Sequence, residues 1–324
     1  MKDFLLFAAG LGMLLVGGRV LVSAAVDIAQ RFGVPTLLIG LTLVAWGTSA
    51  PELAFNLTSA IKGKPDLVLG NVVGASICNM GLVLGVAALI APLAVQAQIV
   101  RREIPLMIGM FFLMLATSLS VDLQHAAGGR LEPLILIAAF GAYSAVAIRA
   151  GLRTRTADKP LEIQTTENSI VGRVRPLWMA LVLAIVGMAL LSVGGSIGSD
   201  AAGGIAVGLG LSPRVVGLTV VAIGTTMPEL ITSIIAVRKG QADLAVGNVA
   251  GSCLFNIGAI FALCGIVAPA PPPPDALPSI VAMCVLGLML IPMSRTHNRH
   301  ISRLEGAALI LVQLSFITYE LLRK

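Results

Sequence analysis

Long apolar runs separated by short polar links make up most of this 324-residue chain. A helix needs about 20 apolar residues to cross the ~30 Å hydrocarbon core of a membrane. About ten runs approach or exceed that length, so the pattern predicts about ten membrane-spanning helices. The predicted spans are Phe4–Ile28, Pro35–Ile61, Leu67–Pro92, Ile104–Leu119, Leu131–Ile148, Leu177–Ser199, Ser212–Val237, Leu244–Ala268, Ala276–Pro292 and Leu304–Leu322.

The composition favours an all-α polytopic membrane protein over a soluble one. Hydrophobic residues make up 57 % of the chain and charged residues only 12 %, and the mean hydropathy is +0.96. A soluble domain has about 25 % charged residues, roughly twice what this chain offers. Aromatic residues amount to only 4 %, whereas a transmembrane β-barrel carries aromatic girdles. The lipid bilayer is therefore an expected partner.

The net charge of +6 bears on orientation in the membrane. Basic residues mark the cytoplasmic loops of a membrane protein, and a nucleic-acid partner is not expected. About twice as many basic residues fall on the side of the long polar stretch 149–176 as on the opposite side. We therefore expect a multi-pass protein of the inner cell membrane, with this central loop in the cytoplasm and both termini outside.

The two halves of the chain repeat each other. The segment "VGGRVLVSAAVDIAQRFGVPTLLIGLTLVAWGTSAPEL" aligns without a gap with "VGGSIGSDAAGGIAVGLGLSPRVVGLTVVAIGTTMPEL", 177 residues later. An odd number of spans separates the copies, so the second must lie upside down relative to the first. The predicted architecture is two inverted-topology five-helix repeats, 1–148 and 177–324, joined by the loop 149–176. Transporters often use this plan, with the binding site near the midplane.

Glu52 and Glu229 occupy equivalent positions inside predicted spans, each directly after a proline in "GTSAPE" and "GTTMPE". An ionisable side chain at the centre of a lone span costs about 2.5–3.5 kcal/mol on insertion scales, so its duplication indicates a function. Proline has no backbone donor, and we expect Pro51 and Pro228 to break the preceding turn. The carbonyls expected to be freed lie near Ala45, Thr48, Ala222 and Thr225.

A second duplicated element, "GNVVGASICN" and "GNVAGSCLFN", adds neutral oxygens. Asn79 and Asn256 lie mid-span, and Ser252 precedes Asn256 by one turn. Thr48 and Thr225 share a helix face with the glutamates four residues later. Carboxylates, amides, hydroxyls and carbonyls suit a hard cation, and Ca²⁺ takes about six to eight oxygens. The charge of the two carboxylates can be balanced by one Ca²⁺, two Na⁺ or two protons.

These paired motifs resemble the alpha-repeats of the cation/calcium antiporter superfamily, the Na⁺/Ca²⁺ exchangers. The resemblance covers essentially the whole chain and implies that Glu52 and Glu229 are the core Ca²⁺ ligands. It implies an antiporter rather than an enzyme, in which the first and sixth helices slide across a fixed core to exchange Na⁺ for Ca²⁺. No cofactor is expected beyond the transported ions, and a monomer is sufficient. The implied Na⁺ sites are built from Ala45, Thr48, Ser49, Asn79, Ala222, Thr225, Thr226, Ser252 and Asn256.

Two positions depart from the pattern of related exchangers. The superfamily usually has Ser one turn before the first Asn, where this chain has Ala75, with Ser76 beside it. One Na⁺-coordinating hydroxyl is therefore expected to be missing. Asn256 stands where K⁺-dependent relatives have Asp, so a K⁺ requirement is not expected.

Other functions remain open from the residues alone. Two glutamates can equally carry protons, so a proton-coupled antiporter of Ca²⁺ or another divalent cation is the nearest alternative. A Ca²⁺ channel would also use carboxylates, but channels usually build a ring by oligomerisation, whereas an internal inverted repeat suits alternating access. An intramembrane protease is disfavoured because neither Glu motif supplies a catalytic dyad.

Overall fold

A computed structural model describes residues 2–120, 129–153, 175–208, 222–270 and 276–322. These residues are almost entirely helical, which confirms the all-α prediction. A short antiparallel strand pair, β1 (Leu93–Ala94) with β2 (His300–Ile301), joins two of the helix ends. The helices are α1 (Lys2–Phe32), α2 (Thr36–Thr48), α3 (Ala50–Ile61), α4 (Pro65–Ile90), α5 (Ile104–Leu119), α6 (Leu131–Arg153), α7 (Leu177–Gly208), α8 (Ala222–Thr225), α9 (Met227–Arg238), α10 (Ala242–Val267), α11 (Leu277–Met293) and α12 (Arg303–Leu322).

Each predicted span coincides with a helix within the described residues. The span Ser212–Val237 does so only in part, because its first ten residues lie outside them. Among the described residues, five helices are long and apolar enough to cross a membrane: α1, α4, α6, α7 and α10. The bent pair α2 and α3 makes a sixth if it counts as one span. The total of ten membrane crossings stays a prediction.

Glycines let α1 and α7 touch backbone to backbone. A Cβ added at Gly10 would lie 2.7 Å from the backbone nitrogen of Gly198, and one added at Gly17 would lie 2.9 Å from the carbonyl oxygen of Gly187. Later residues of α1 thus meet earlier residues of α7, so the two helices run antiparallel. Small residues allow such close packing where lipid supplies no hydrophobic driving force. The first helices of the two predicted repeats therefore form one closely packed pair.

The helices α4 and α10 lie at the centre of the molecule. In each, 72 % of the most apolar window is buried, against 28–33 % for α1, α6 and α7. These two central helices carry the duplicated "GNVVG" and "GNVAG" segments, and they pack against the bent helices that carry the glutamates. The two most deeply buried of these helices are thus the ones that carry the duplicated asparagine-containing segments.

Candidate cation site

Two helix breaks at equivalent positions bring the glutamates to the centre. Between α2 and α3, Ser49 has φ −87° and ψ 8°, and the helix axis bends by 48°. Between α8 and α9, Thr226 has φ −89° and ψ 0°. Each new helix starts with a proline in its first turn, where a missing N–H costs nothing. Glu52 and Glu229 follow in those first turns, at the helix end whose dipole favours negative charge.

Both carboxylates are buried, and that of Glu229 is hydrogen-bonded across the halves. Glu52 is 2 % exposed and Glu229 1 %. The Ser49 hydroxyl donates to Glu229 Oε1 at 2.9 Å and lies 3.2 Å from the Ser252 hydroxyl. Side chains from the two breaks and from α10 therefore meet beside Glu229.

Several oxygens at this place have no partner within the described part of the protein. They are Oε2 of Glu52, Oε2 of Glu229, and the amide oxygens of Asn79 and Asn256. Buried polar atoms are almost always hydrogen-bonded, because leaving one unpaired costs free energy. Unpaired oxygens around two buried carboxylates fit a cation, whose charge would satisfy all of them together.

The neutral candidates lie in the same region. Thr48, Ser49, Thr226 and Ser252 are buried, as are both asparagines, whereas Thr225 is half-buried. Ala222 begins α8, so its backbone stands one turn before Thr226. The described residues contain no group of three or more His, Cys, Asp or Glu suited to a metal ion. The site therefore has the chemistry of a hard-cation site with a low count of charged ligands.

The structure differs from the expectation at one of the freed carbonyls. The Ala45 carbonyl oxygen accepts the backbone N–H of Ser49 at 3.1 Å and lies 3.3 Å from the Thr48 hydroxyl. Pro51 lacks the N–H that would otherwise reach four residues back, which is Gly47 rather than Ala45. The break therefore leaves Ala45 within the helix bonding pattern. Its oxygen has a lone pair for an ion only when the Thr48 hydroxyl donates instead to Asn248 Oδ1, which lies at 3.4 Å.

Two π-helical turns, which the sequence pattern did not predict, begin at the two asparagines. They span Asn79–Val83 in α4 and Asn256–Phe261 in α10. A π turn inserts an extra residue into the helix and often occurs at functional sites. Its occurrence at both equivalent positions is a backbone feature that the two halves share at the candidate ligands Asn79 and Asn256.

Sequence reasoning also missed a pair of polar clamps. Asn248 is fully buried and donates to the Ser233 hydroxyl at 3.1 Å and to the Glu229 carbonyl at 3.4 Å. In the other half, Asn56 donates to the Glu52 carbonyl and to Asn71 Oδ1, each at 2.7 Å. Each clamp ties a glutamate-bearing helix to a central helix. The repeat held the signal, because Asn71 and Asn248 are equivalent in "GNVVG" and "GNVAG".

The model of the family described as "Sodium/calcium exchanger protein" matches residues 2–149 and 179–322. These two segments contain both breaks, both glutamates and both π turns. The chain belongs to the sodium/calcium exchanger family. As a member of an exchanger family, it is a membrane transporter whose activity lies in moving ions, and the predicted resemblance is confirmed.

Two curated relatives match this exchanger over most of their length. Sodium/calcium exchanger MaX1 from Methanosarcina acetivorans is 30 % identical and covers 97 % of each chain. Inner membrane protein YrbG from Escherichia coli K12 is 35 % identical over 82 % of this chain and 79 % of its own. Among solved structures, the sodium-calcium exchanger NCX_Mj, soaked with Na⁺ and Sr²⁺, superimposes with a TM-score of 0.78. That match has 26 % identity and covers 98 % of each chain.

Proposed function

We propose that this exchanger moves Ca²⁺ against Na⁺ by secondary active antiport, with Glu52 and Glu229 as the core Ca²⁺ ligands. The single observation that carries the proposal is the pair of buried carboxylates, each with an oxygen that has no partner in the described structure. A divalent ion neutralises both carboxylates at once, whereas exchange for Na⁺ requires at least two ions to restore the charge. Membership of the exchanger family supports the same ions.

The neutral oxygens are proposed to complete the coordination. Side chains of Thr48, Ser49 and Ser252 lie buried beside the carboxylates. The remaining proposed ligands are Ala45 and Ala222 through their carbonyls, and Thr225, Thr226, Asn79 and Asn256 through their side chains. Na⁺ carries half the charge of Ca²⁺, so its binding depends more on these neutral groups than Ca²⁺ binding does.

Alternating access is proposed to arise from the inverted repeat, 1–148 and 177–324. The pair of α1 and α7 packs backbone to backbone through glycines, which makes it a rigid unit suited to sliding past the site. The antiparallel course of these two equivalent helices supports the inversion. Occupancy of the carboxylate pair would permit the switch, because two bare buried charges oppose closing the site to water.

The proposal is tested by ⁴⁵Ca²⁺ uptake into proteoliposomes under imposed gradients. An outward Na⁺ gradient should drive uptake, and replacing Na⁺ with choline should abolish it. Uptake driven by a proton gradient alone would favour the proton-coupled alternative instead. A channel would show flux without saturable counterflow, which would contradict antiport of either kind.

We further propose that the protein lies in the inner cell membrane with the loop 149–176 in the cytoplasm and both termini outside. The excess of basic residues on that side of the chain supports this orientation. A cysteine at Thr165, in a background without other cysteines, should react with an impermeant thiol reagent only after the cells are opened. Reaction in intact cells would show that the loop lies outside the cell and would contradict the proposed orientation.

A further inference from the structure

The Thr48 hydroxyl lies between two acceptors that belong to different halves of the chain. Its oxygen is 3.3 Å from the Ala45 carbonyl oxygen and 3.4 Å from Asn248 Oδ1, 200 residues away. Both distances exceed the usual range of about 2.5–3.0 Å for a hydroxyl donor, and a hydroxyl has only one hydrogen to donate. The direction of this hydrogen therefore decides whether the Ala45 oxygen is open to an ion.

A bound cation makes one of these acceptors unsuitable. A hydroxyl coordinates a cation through its oxygen lone pairs, so its hydrogen must point to an acceptor that is not itself a ligand. Ala45 is a proposed ligand, and its carbonyl oxygen already accepts the Ser49 N–H at 3.1 Å. Asn248 is not a proposed ligand. When Thr48 donates to Asn248, the Thr48 lone pairs and the second Ala45 lone pair both stay available to the ion.

The orientation of the Asn248 amide is fixed by its other contacts. Its nitrogen has two hydrogens and two acceptors, the Ser233 hydroxyl at 3.1 Å and the Glu229 carbonyl at 3.4 Å. The side chain is fully buried, where an unpaired amide hydrogen costs free energy. These two bonds hold the nitrogen towards α9, so the oxygen is the atom that faces Thr48 on α2.

The equivalent amide in the other half has the opposite orientation. Asn71 is the counterpart of Asn248, and Asn56 is the counterpart of Ser233. Asn56 donates to the Glu52 carbonyl and to Asn71 Oδ1, each at 2.7 Å. Asn71 thus turns its oxygen, not its nitrogen, to the helix that carries the glutamate. Serine or asparagine at this one position therefore decides which way the central amide points.

We propose that Asn248 is a positioning residue that accepts the Thr48 hydrogen when a cation is bound. The Thr48 and Ala45 oxygens are then both left to the ion. Ser233 acts indirectly, because it holds the Asn248 amide in the orientation that makes this possible. The inference rests on the proposed function, since it needs Thr48 and Ala45 as ligands. It concerns Na⁺ more than Ca²⁺, because Na⁺ depends more on neutral oxygens.

The test exchanges the residue that orients the amide. Ser233→Asn copies the first half, where Asn56 fits although it is fully buried. The new amide donates to the Glu229 carbonyl and to Asn248 Oδ1, which turns the Asn248 nitrogen towards Thr48. The Na⁺ concentration for half-maximal effect should rise about five-fold, the usual result of losing one hydrogen bond. Ca²⁺ half-saturation should change by a smaller factor, and the unfolding temperature in detergent should be kept because the clamp remains.

Ser233→Ala separates positioning from stability. It removes an acceptor without adding a donor, so the bond to the Glu229 carbonyl keeps the Asn248 nitrogen on the same side. The unfolding temperature should fall, whereas the Na⁺ requirement should rise less than in Ser233→Asn. A merely structural clamp predicts the reverse order, with the less stable protein binding Na⁺ worse. Thr42→Val, at an α2 hydroxyl that donates to the Leu38 carbonyl at 2.7 Å, is the matched control and should affect neither ion.

Two readouts separate this inference from the proposed function. Na⁺ dependence is measured from ⁴⁵Ca²⁺ uptake in proteoliposomes and from Na⁺ competition against ⁴⁵Ca²⁺ binding to purified protein. A parent protein without Na⁺-driven uptake would contradict Na⁺ exchange, and the competition assay would still compare the variants. Unchanged Na⁺ competition in Ser233→Asn, or a larger rise in Ser233→Ala than in Ser233→Asn, would overturn the inference.

A second set of variants covers a Ser233→Asn protein that fails to fold. Asn248→Leu removes the acceptor itself and should also raise the Na⁺ requirement about five-fold. In a Thr48→Val background there is no hydroxyl to orient, so adding Asn248→Leu should change Na⁺ competition less than about two-fold. An equal loss in both backgrounds would show that Asn248 does not act through Thr48 and would overturn the inference.

Discussion

The two sides of the ion site share a backbone but differ in their side chains. On one side, Ser49 contacts Ser252 and Glu229, and aromatic rings cover the π turn at Asn256. On the other, Ala75 occupies the position equivalent to Ser252, and Gln313 covers the π turn at Asn79. The helix breaks and the π turns that begin at Asn79 and Asn256 occur at equivalent positions in the two halves.

This difference teaches which features of a duplicated site are constrained. The breaks and the π turns at Asn79 and Asn256 depend on backbone geometry and recur, as the proposal that both halves present a carboxylate and an amide to one ion requires. The groups behind them only have to fill space and pair buried polar atoms. Different side chains meet that requirement, so the two halves share their backbone shape, glutamate and asparagine but differ in the side chains packed behind them.

The largest effect is expected when one of the two glutamates, which both sides share, loses its charge. Glu52→Gln or Glu229→Gln should each lower ⁴⁵Ca²⁺ uptake about 100-fold or more, because breaking a buried charge arrangement costs about 3–5 kcal/mol. Glutamine keeps the shape, so the protein should still fold and elute as a single species in size-exclusion chromatography. Asp66→Asn, at an exposed carboxylate in the first turn of α4, is the control and should transport normally. Normal flux in either glutamine variant would show that the replaced carboxylate is not a Ca²⁺ ligand.

The next largest effect is a loss of stability when either of the two asparagine clamps is removed. Asn248→Leu should lower stability by about 1–3 kcal/mol, because it leaves the buried Ser233 hydroxyl without the amide donor at 3.1 Å. Asn71→Leu should cost less, since Asn71 is half-buried and Asn56 keeps its 2.7 Å bond to the Glu52 carbonyl. Thermal unfolding in detergent would rank the two. An equal loss would show that the clamps are equivalent despite their different burial.

A smaller effect is expected when the serine of one side and the alanine at the equivalent position of the other are exchanged. Ser252→Ala should raise the Na⁺ concentration for half-maximal exchange about five-fold, because Ser49 then loses its contact with the Ser252 hydroxyl. Ala75→Ser should shift the Na⁺ dependence in the opposite direction by a smaller factor. Ca²⁺ half-saturation, measured in the same vesicles, should stay nearly constant in both. A matching change in Ca²⁺ dependence would indicate that these hydroxyls do not favour Na⁺.

The smallest effect is expected at two equivalent glycine turns that are not part of the candidate site. Gly63 and Gly240 occupy equivalent turns with φ of 66° and 72°. Replacing either with Ala should cost about 1 kcal/mol, since a Cβ disfavours this left-handed conformation. Transport per folded molecule should be unchanged in both variants. Clearly unequal unfolding temperatures for the two variants would show that the turns experience different surroundings.

Much of the site could be predicted because its determinants are local and duplicated. Pro51 and Pro228 signal the breaks, and intramembrane Glu52 and Glu229 signal a charged ligand. The clamp residue Asn248 was missed although it is also duplicated. An amide in an apolar run is ambiguous until its partners are known, and its partners come from helices that sequence spacing alone does not place.

The sequence by itself determined that the chain is an all-α membrane protein with two related halves and a carboxylate in each. Hydrophobic run length, proline chemistry and an exact residue-for-residue shift are properties that need no tertiary contact. Only the tertiary structure decided which groups meet across the halves, such as Ser49 with Glu229, 180 residues apart. It also decided the π turns and the place of Gln313. Periodicity describes one helix at a time, whereas the packing of helices selects which buried polar atoms become neighbours.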